Sequence, residues 1–257
     1  MNLSGLLGFL RSSILRDTSD QTGGPSDYLW SDATLTTMIN EAYYRFAAEA
    51  LCLRDNTNPQ FTQFRTVPLV DQYALDPAVL AVLSVQMAGD RSDLARAGHS
   101  EFNAYVRPDT YYFDPNTLAL LPPGKPQAFS TDEGLSETDD GAVSAITLRL
   151  FPKPSADWAP TIASLRVIRL PSGPLEQGAD VPELPERHHI EMLDWAAYLA
   201  LRIVDHDLGD PARAEGFKAS FEDFARKARL LAMRKMFTPL QHGFGRGGWS
   251  WGDNNGL

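Results

Sequence analysis

The stretch LPERHHIEMLDWAAYLALRIVDHDLGD, residues 184–210, contains the residues whose types are best suited to chemistry. His188 and His189 lie near its start, and an Asp-His-Asp sequence centred on His206 lies near its end. Imidazoles and carboxylates serve as metal ligands and as acid–base catalysts. On one continuous helix, however, His189 and His206 would be about 26 Å apart, because a helix rises 1.5 Å per residue. The two ends therefore cannot share one metal ion.

No spacing inside this stretch completes a catalytic or metal-binding motif. His188 and Glu191 are three residues apart, but no HExxH pattern is present. Asp205, His206 and Asp207 are consecutive, so their side chains would diverge around a helix end. The chain also lacks a GxSxG motif, a phosphate-binding P-loop and a CxxC pair. We therefore predict no catalytic, cofactor-binding or metal-binding residues, and a protein that is not an enzyme.

The middle of the stretch predicts a helix over about 185–207 that is apolar nearly all round. A helix of this kind is buried on several sides, either by its own domain or by neighbouring subunits. We expect it to be a core element. The residues behind this prediction are Ile190, Met192, Leu193, Trp195, Ala196, Ala197, Leu199, Ala200, Leu201, Ile203 and Val204.

Composition narrows the class of protein. The 257 residues include 23 basic and 33 acidic side chains, which give a formal charge of −10. A chain this acidic lacks the basic surface typical of proteins that bind nucleic acid or anionic membranes. Cys52 is the single cysteine, so an internal disulfide and a cysteine-rich zinc site are excluded. No apolar run reaches the roughly 18 residues of a membrane span. These features predict a soluble protein made in a cytoplasm.

Other helices have clear start signals. Leucines at helical spacing from Leu3 predict an amphipathic N-terminal helix, followed by a polar loop over 17–27. Ser31 is a good N-cap for a second helix that ends near residue 54. Asp210 caps the last helix, and Pro211 occupies its first position.

Between these helices, residues 61–170 contain short runs of β-type residues separated by proline and aspartate turns. They predict five or six strands in a small antiparallel sheet or sandwich, including a strand–turn–strand unit at 110–123. The acidic segment 122–141 is interpreted as a surface loop. A calcium site is the alternative there, although its five acids do not follow the EF-hand order: Asp132, Glu133, Glu137, Asp139 and Asp140.

The predicted fold class is α+β: a helical bundle of long helices with an inserted small antiparallel β domain and an extended C-terminal tail. We divide the chain into an N-terminal helix and linker at 1–27, a bundle made of 28–58 and 183–236, a β-rich insertion at 59–182, and a flexible glycine- and aromatic-rich tail at 237–257.

The C-terminal part carries the candidate contact residues. The last turns of the final helix are basic, and residues 240–257 combine six glycines with three aromatic side chains that are costly to leave in water. Such a segment is typical of one that orders against another chain. The predicted partner-contact residues are Phe244, Trp249, Trp251, Arg234 and Lys235.

The order of the segments is more specific than any single motif. LWSDATLTTMINEAYYRF is followed by VPLVDQYALDPAVLAVLSVQMAG and DLARAGHSEFNAYV, then by LRLFPKPSADW and LRVIRLP, and finally by ELPERHHIEMLDWAAYLALRIVDHDLGDPARAEGFKASFEDF. Over residues 28–229 this order resembles the head-to-tail adaptor (connector) proteins of tailed bacteriophages, especially the short-tailed type. Segments 1–27 and 122–141 have no clear counterpart in that pattern.

The resemblance implies a structural virion protein at the head–tail junction. Copies of the chain, about twelve as in a dodecamer ring, would lie beneath the portal protein and extend the DNA channel. Tail nozzle or fibre proteins would dock on the ring. DNA would pass through an acidic channel during ejection without specific binding, and no membrane would be involved.

Two other functions remain open at this stage. A virion-associated peptidoglycan hydrolase would need a pair of carboxylates roughly 5–10 Å apart in a cleft. A tail terminator, or another connector component of a long-tailed phage, would share the composition but assemble elsewhere in the particle.

Overall fold

The computed structural model describes residues 1–17, 28–96, 122–132, 145–202 and 210–236, and within them the chain has a mixed α/β fold. Helix α1 covers Leu3–Phe9 and continues as a π-helix over Leu10–Leu15. The other helices are α2 (Asp32–Ala50), α3 (Pro59–Thr62), α4 (Leu193–Arg202) and α5 (Pro211–Met236), and a 3₁₀ turn covers Glu186–His188.

The predicted helix starts at Ser31 and Asp210 are confirmed. The Ser31 hydroxyl accepts a hydrogen bond from the Thr34 N–H at 3.1 Å, and the Asp210 carboxylate accepts one from the Arg213 N–H at 3.1 Å. Helix α2 ends at Ala50, a few residues sooner than predicted. The reason is Leu51, which adopts a left-handed conformation with φ 50° and closes the helix there.

The prediction of one continuous helix over 185–207 is wrong in its first part. Only the 3₁₀ turn and a further turn precede α4, which starts at Leu193. The His189 imidazole bonds the Leu184 carbonyl at 2.9 Å, so a side chain completes a local turn there. Residues 203–209 lie outside the described residues. The burial prediction for this region fits α4, most of which is buried.

The strands form two four-stranded sheets. In the first, β4 (Val79–Met87) runs along one edge of the long strand β8 (Ile162–Arg169), while β1 (Arg54–Asp55) and β2 (Gln63–Arg65) pair with the other edge. In the second, the order is β3 (Gln72–Ala74), β7 (Thr147–Phe151), β6 (Ala128–Asp132) and β5 (Ala95–Arg96).

Two predictions for the β region need correction. The sheets are not purely antiparallel, because β5 and β6 pair in parallel. The acidic segment 122–141 is not all loop, since Ala128–Asp132 forms β6 and pairs with β7. Burial of Phe129 explains that strand, because its ring places one face of the segment in the core. Most of the strand–turn–strand unit predicted at 110–123, and the acids after Asp132, lie outside the described residues.

The described residues form two hydrophobic cores. The first joins α1, α2, α4 and α5 around Phe221, whose ring centroid lies 5.8 Å from that of Phe46 and 5.3 Å from that of Trp195. The second fills the space between the sheets and includes Phe129 and Val85. The segment after β8 returns to the first core, where Leu175 is buried.

Candidate interaction site

The two histidines at the start of the 184–210 stretch are structural. His188 is buried and packs 5.2 Å from the ring of Phe46, while its Nδ1 lies 2.5 Å from Glu191 Oε2. His189 is buried as well and contacts Leu184 through the carbonyl described above. Among the described residues, no group of three or more His, Cys, Asp or Glu side chains lies close enough to hold a metal ion. His206 lies outside those residues.

A buried charge network lies where the first sheet meets the helical core. Arg169, at the end of β8, donates from Nε to Asp55 Oδ2 at 2.8 Å, and its Nη2 lies 2.6 Å from Glu183 Oε2. Glu183 also accepts bonds from the Ser172 backbone and hydroxyl, and its own N–H donates to the Tyr43 hydroxyl of α2 at 2.8 Å. The network therefore links the sheet, the segment after it and α2.

The pKa values of this network follow from its hydrogen bonds. Burial alone would raise the pKa of Asp55, but bonds from the Thr57 and Asn58 backbone N–H groups and from Arg169 outweigh it and hold the pKa well below its usual range. Burial alone would also raise the pKa of Glu183, but hydrogen bonds from Ser172 and Arg169 outweigh that effect and lower the pKa. Burial raises the pKa of Tyr43 to about 12. Both carboxyl groups are thus held in their ionised forms.

In the C-terminal half of α5, two of the basic side chains are ion-paired with an acidic residue. Arg226 and Lys227 both lie 2.5 Å from the carboxylate of Asp223, one helical turn earlier. Further along, Arg229 and Arg234 are exposed. The predicted contact residue Arg234 therefore lies on an accessible helix surface, and Lys235 belongs to the same helix. The other predicted contact residues, Phe244, Trp249 and Trp251, lie outside the described residues.

A recess of about 250 Å³ lies beside this half of α5. The Arg54 guanidinium reaches across it and donates to the Ala232 carbonyl. Cys52 is half-buried in its wall, and burial raises the pKa of its thiol to about 11, so the thiol is protonated near neutral pH. The lining residues are Cys52, Arg54, Pro185, Arg187, Ala228, Leu231 and Ala232.

Sequence reasoning missed a second surface, the turn over residues 67–70. Its sequence VPLV was interpreted as part of a β-type run, but it leaves three apolar side chains in solvent: Val67, Leu69 and Val70. Pro68 between them was the available signal, because proline interrupts a strand and favours a turn. None of the helices in the described ranges is long and apolar enough to cross a bilayer.

The model of the SU10 adaptor protein family matches residues 1–242. The chain belongs to the SU10 adaptor protein family. The resemblance to phage head-to-tail adaptors is thereby confirmed at the level of the family. A search of curated proteins gives no significant match.

The range of the SU10 adaptor match bears on the two segments that had no counterpart in the resemblance and on the C-terminal tail. Segments 1–27 and 122–141, which had no counterpart in the resemblance, lie within the matched range. The described part of the first segment, residues 1–17, packs in the helical core through Leu3, Leu6 and Leu10. The tail aromatics from Phe244 onwards lie beyond the match.

Proposed function

We propose that the chain is a structural, non-enzymatic head-to-tail adaptor of a short-tailed phage. Copies of it form a ring of about twelve beneath the portal protein, extend the DNA channel and dock the tail. The observation that carries this proposal is the family match over residues 1–242, which includes every described element. The chain is made in the host cytoplasm and acts at the head–tail junction of the virion.

Charge supports the channel role. The chain has ten more acidic than basic residues, so a ring repeats that excess around the path of the genome. Like charges repel over distances of about 8–10 Å at physiological ionic strength. An acidic channel therefore lets DNA slide past without specific binding.

We propose that 28–58 and 183–236 form the helical bundle, with 1–27 as the N-terminal helix and linker and 59–182 as an inserted β-rich domain. The separate clustering of buried residues in the helices and in the strands of the described residues supports this division. The basic end of α5, with Arg234 and Lys235, and the C-terminal tail with Phe244, Trp249 and Trp251 supply contacts to the portal or to tail nozzle or fibre proteins. Aromatic and arginine side chains are those that most often dominate binding energy at protein interfaces.

The two carboxylates of the buried charge network are poorly suited to hydrolase chemistry. Asp55 and Glu183 are both ion-paired with Arg169, and their pKa values are lowered. A glycosidase needs one carboxyl group with a raised pKa to act as general acid. This network therefore favours a structural role for the pair.

The experiment is to mix the purified chain with its intact portal and to measure stoichiometry by native mass spectrometry and cryo-EM. We expect a monomer or weak oligomer alone and a ring of about twelve with portal. A chain that stays monomeric beside an intact portal contradicts the proposal. A zymogram on peptidoglycan, run with the same preparation, shows no clearing if the role is structural.

A further inference from the structure

The recess beside the C-terminal half of α5 carries positive charge. Arg54 of β1 and Arg187 of the 3₁₀ turn both line it, and none of the described residues in its wall is acidic. A guanidinium is not deprotonated in proteins. The recess is therefore a local cationic site on a chain whose formal charge is −10.

Hydrogen bonds hold both guanidiniums in place without neutralising them. Arg54 donates to the Ala232 carbonyl of α5, and Arg187 donates from Nε to His188 Nε2 at 2.9 Å. Within the described part of the chain, neither arginine is ion-paired with a carboxylate. A guanidinium has five N–H donors, so each arginine keeps most of its donors for a ligand.

The rest of the wall is largely apolar. Pro185, Ala228 and Leu231 line it, and the Leu231 side chain is 44% exposed. An inorganic anion between the arginines would leave this leucine in contact with water. An occupant that carries an aliphatic group beside its negative charge would cover the leucine as well, which is favourable.

The size and charge of the recess favour a carboxylate on a peptide. The planar fork of a guanidinium matches a carboxylate with two parallel hydrogen bonds. A volume of about 250 Å³ holds one or two side chains, since about 150 Å³ already accommodates benzene. A nucleic-acid strand fits less well, because its repeated phosphates need a continuous basic surface, and this chain is acidic.

We infer that the recess beside α5 binds an acidic peptide segment of a partner protein, in which a glutamate or aspartate lies next to an aliphatic residue. The carboxylate bonds the guanidiniums of Arg54 and Arg187, and the aliphatic side chain packs on Leu231. Charge complementarity selects this occupant. Because both guanidiniums are already held in position, little conformational entropy is lost on binding.

The inference goes beyond the proposed function and does not require a ring, because all the residues of the site belong to one chain. Rings that form with portal while no acidic peptide binds the recess overturn the inference alone. Acidic peptide that binds a chain unable to form rings supports the inference and contradicts the proposed function.

The probe is the synthetic peptide Gly-Glu-Leu-Glu-Gly, acetylated and amidated at its ends, and its counterpart has glutamine in place of both glutamates. Isothermal titration calorimetry measures binding to the purified full chain. We expect the acidic peptide to bind at about millimolar concentration or below, and the glutamine peptide to bind about tenfold more weakly, because it lacks charge-assisted hydrogen bonds. Equal affinities, or no binding of the acidic peptide, overturn the inference.

Two neighbouring leucines of α5 provide matched variants. Leu231→Glu places a carboxylate at the recess, where it competes with the peptide for both arginines, so affinity should fall about tenfold or more. Leu230→Glu makes the same change of charge at a residue that is 53% exposed and does not line the recess, so affinity should change by about twofold or less. Urea midpoints confirm that both variants fold. Equal losses of affinity would show general repulsion by the added charge and overturn the inference.

A second pair of variants removes a cation instead of adding an acid. Arg187→Gln should weaken peptide binding about tenfold, since it deletes one of the two guanidiniums of the site. Arg166→Gln removes an exposed arginine of β8 that does not line the recess, and peptide binding should stay unchanged. Equal effects of the two variants would contradict a site at the recess.

Cys52 reports where the peptide binds, because it lines the recess and is the chain's only cysteine. Its reaction with iodoacetamide, an uncharged reagent, is followed by mass spectrometry at mildly alkaline pH. The acidic peptide at saturating concentration should slow this reaction, and the glutamine peptide should not. An unchanged rate with the acidic peptide bound would place it elsewhere and overturn the inference.

Two competitors test the class of ligand. Glutarate supplies carboxylates without an aliphatic side chain, and we expect it to bind more weakly than the acidic peptide. A single-stranded oligonucleotide supplies phosphates, and we expect it not to displace the peptide. Glutarate that binds as tightly as the peptide, or an oligonucleotide that displaces it, overturns the inference in favour of a small-anion site or a phosphate site.

Discussion

Arg169 and Asp55 form a buried ion pair at 2.8 Å between residues 114 positions apart in the sequence. Through Glu183 the same arginine reaches the segment that returns to the helices, and Glu183 is hydrogen-bonded to Tyr43 of α2. Arg169 therefore fixes the sheet to the helical core at one point. Under the proposed function, a subunit that lies between portal and tail needs its two parts held in a defined arrangement.

The first prediction concerns this arginine. Arg169→Met leaves two buried or partly buried carboxylates without their cation, and we expect a loss of about 3 kcal/mol in the free energy of unfolding. Urea denaturation followed by tryptophan fluorescence measures it. Arg226→Met removes an exposed partner of Asp223 and serves as the matched control, with a much smaller effect. Equal losses in the two variants would contradict the structural role of Arg169.

The second prediction concerns pH. The folded chain keeps Asp55 ionised at pH values where the unfolded chain binds a proton, so the stability that Asp55 contributes is fully present above about pH 4 and is lost as pH falls below that value. Urea midpoints measured from neutral to acidic pH should fall less steeply in Asp55→Asn than in the wild type. Parallel curves for the two proteins would show that Asp55 is not responsible.

The third prediction concerns the helical core. Phe221 is fully buried between Phe46 and Trp195, and Phe221→Ala should destabilise the chain by about 3–5 kcal/mol, because it removes apolar contacts and leaves a cavity. Thermal unfolding measures the loss. Leu230→Ala, on the exposed face of the same helix, should change stability by less than about 0.5 kcal/mol. If Phe221→Ala lowers the free energy of unfolding only slightly, the Phe221 ring is not what fixes α5 to the helical core.

The fourth prediction concerns the backbone at Leu69. Leu69→Gly removes an unfavourable left-handed leucine, so stability should stay within about 1 kcal/mol of the wild type or rise slightly. Urea denaturation measures the effect. A clearly larger loss of stability would show that the exposed Leu69 side chain contributes to the fold.

The fifth prediction concerns the tail. A chain truncated after Met236 removes Phe244, Trp249 and Trp251 but keeps all the residues of the two described cores, which lie between Leu3 and Ala228, so we expect it to unfold at the same urea concentration as the full chain. Its affinity for the portal should fall. Arg234→Glu in the full chain tests the basic end of α5 separately. Portal binding that is unchanged in both variants would remove these residues from the contact surface.

Short sequence patterns correctly predicted the features that depend on contacts between neighbouring residues, such as helix caps. The caps at Ser31 and Asp210 satisfy backbone groups within one helical turn, so a short sequence window is enough to identify them. The strand at Ala128–Asp132 was not predicted, because the sequence around the buried Phe129 is mostly polar and acidic and therefore resembles a loop. Its partner strand β7 follows the acidic segment in the sequence, so β6 can be identified only when its pairing with β7 is known.

The candidate site was harder to predict, for a physical reason. The histidines attract attention by type, yet packing against Phe46 makes His188 a core residue. The Arg169 network and the recess beside α5 are built from residues far apart in sequence, and no periodic pattern encodes such contacts. The exposed turn at 67–70 resembles a strand in composition apart from Pro68, and the left-handed conformation of Leu69 is visible only in the structure.

Near the N-terminus, a second arginine, Arg11, also links separate parts of the chain. Arg11 bonds the Asp17 carboxylate at 2.7 Å and also contacts the Trp30 carbonyl and the Asp32 carboxylate. Arg11 therefore links the residues on both sides of segment 18–27, namely Asp17 before it and Trp30 and Asp32 after it. Doubling the length of a connection costs only about 0.6 kcal/mol in closure entropy. Evolution can therefore lengthen, shorten or replace this connection between related phages while α1 and α2 keep their places.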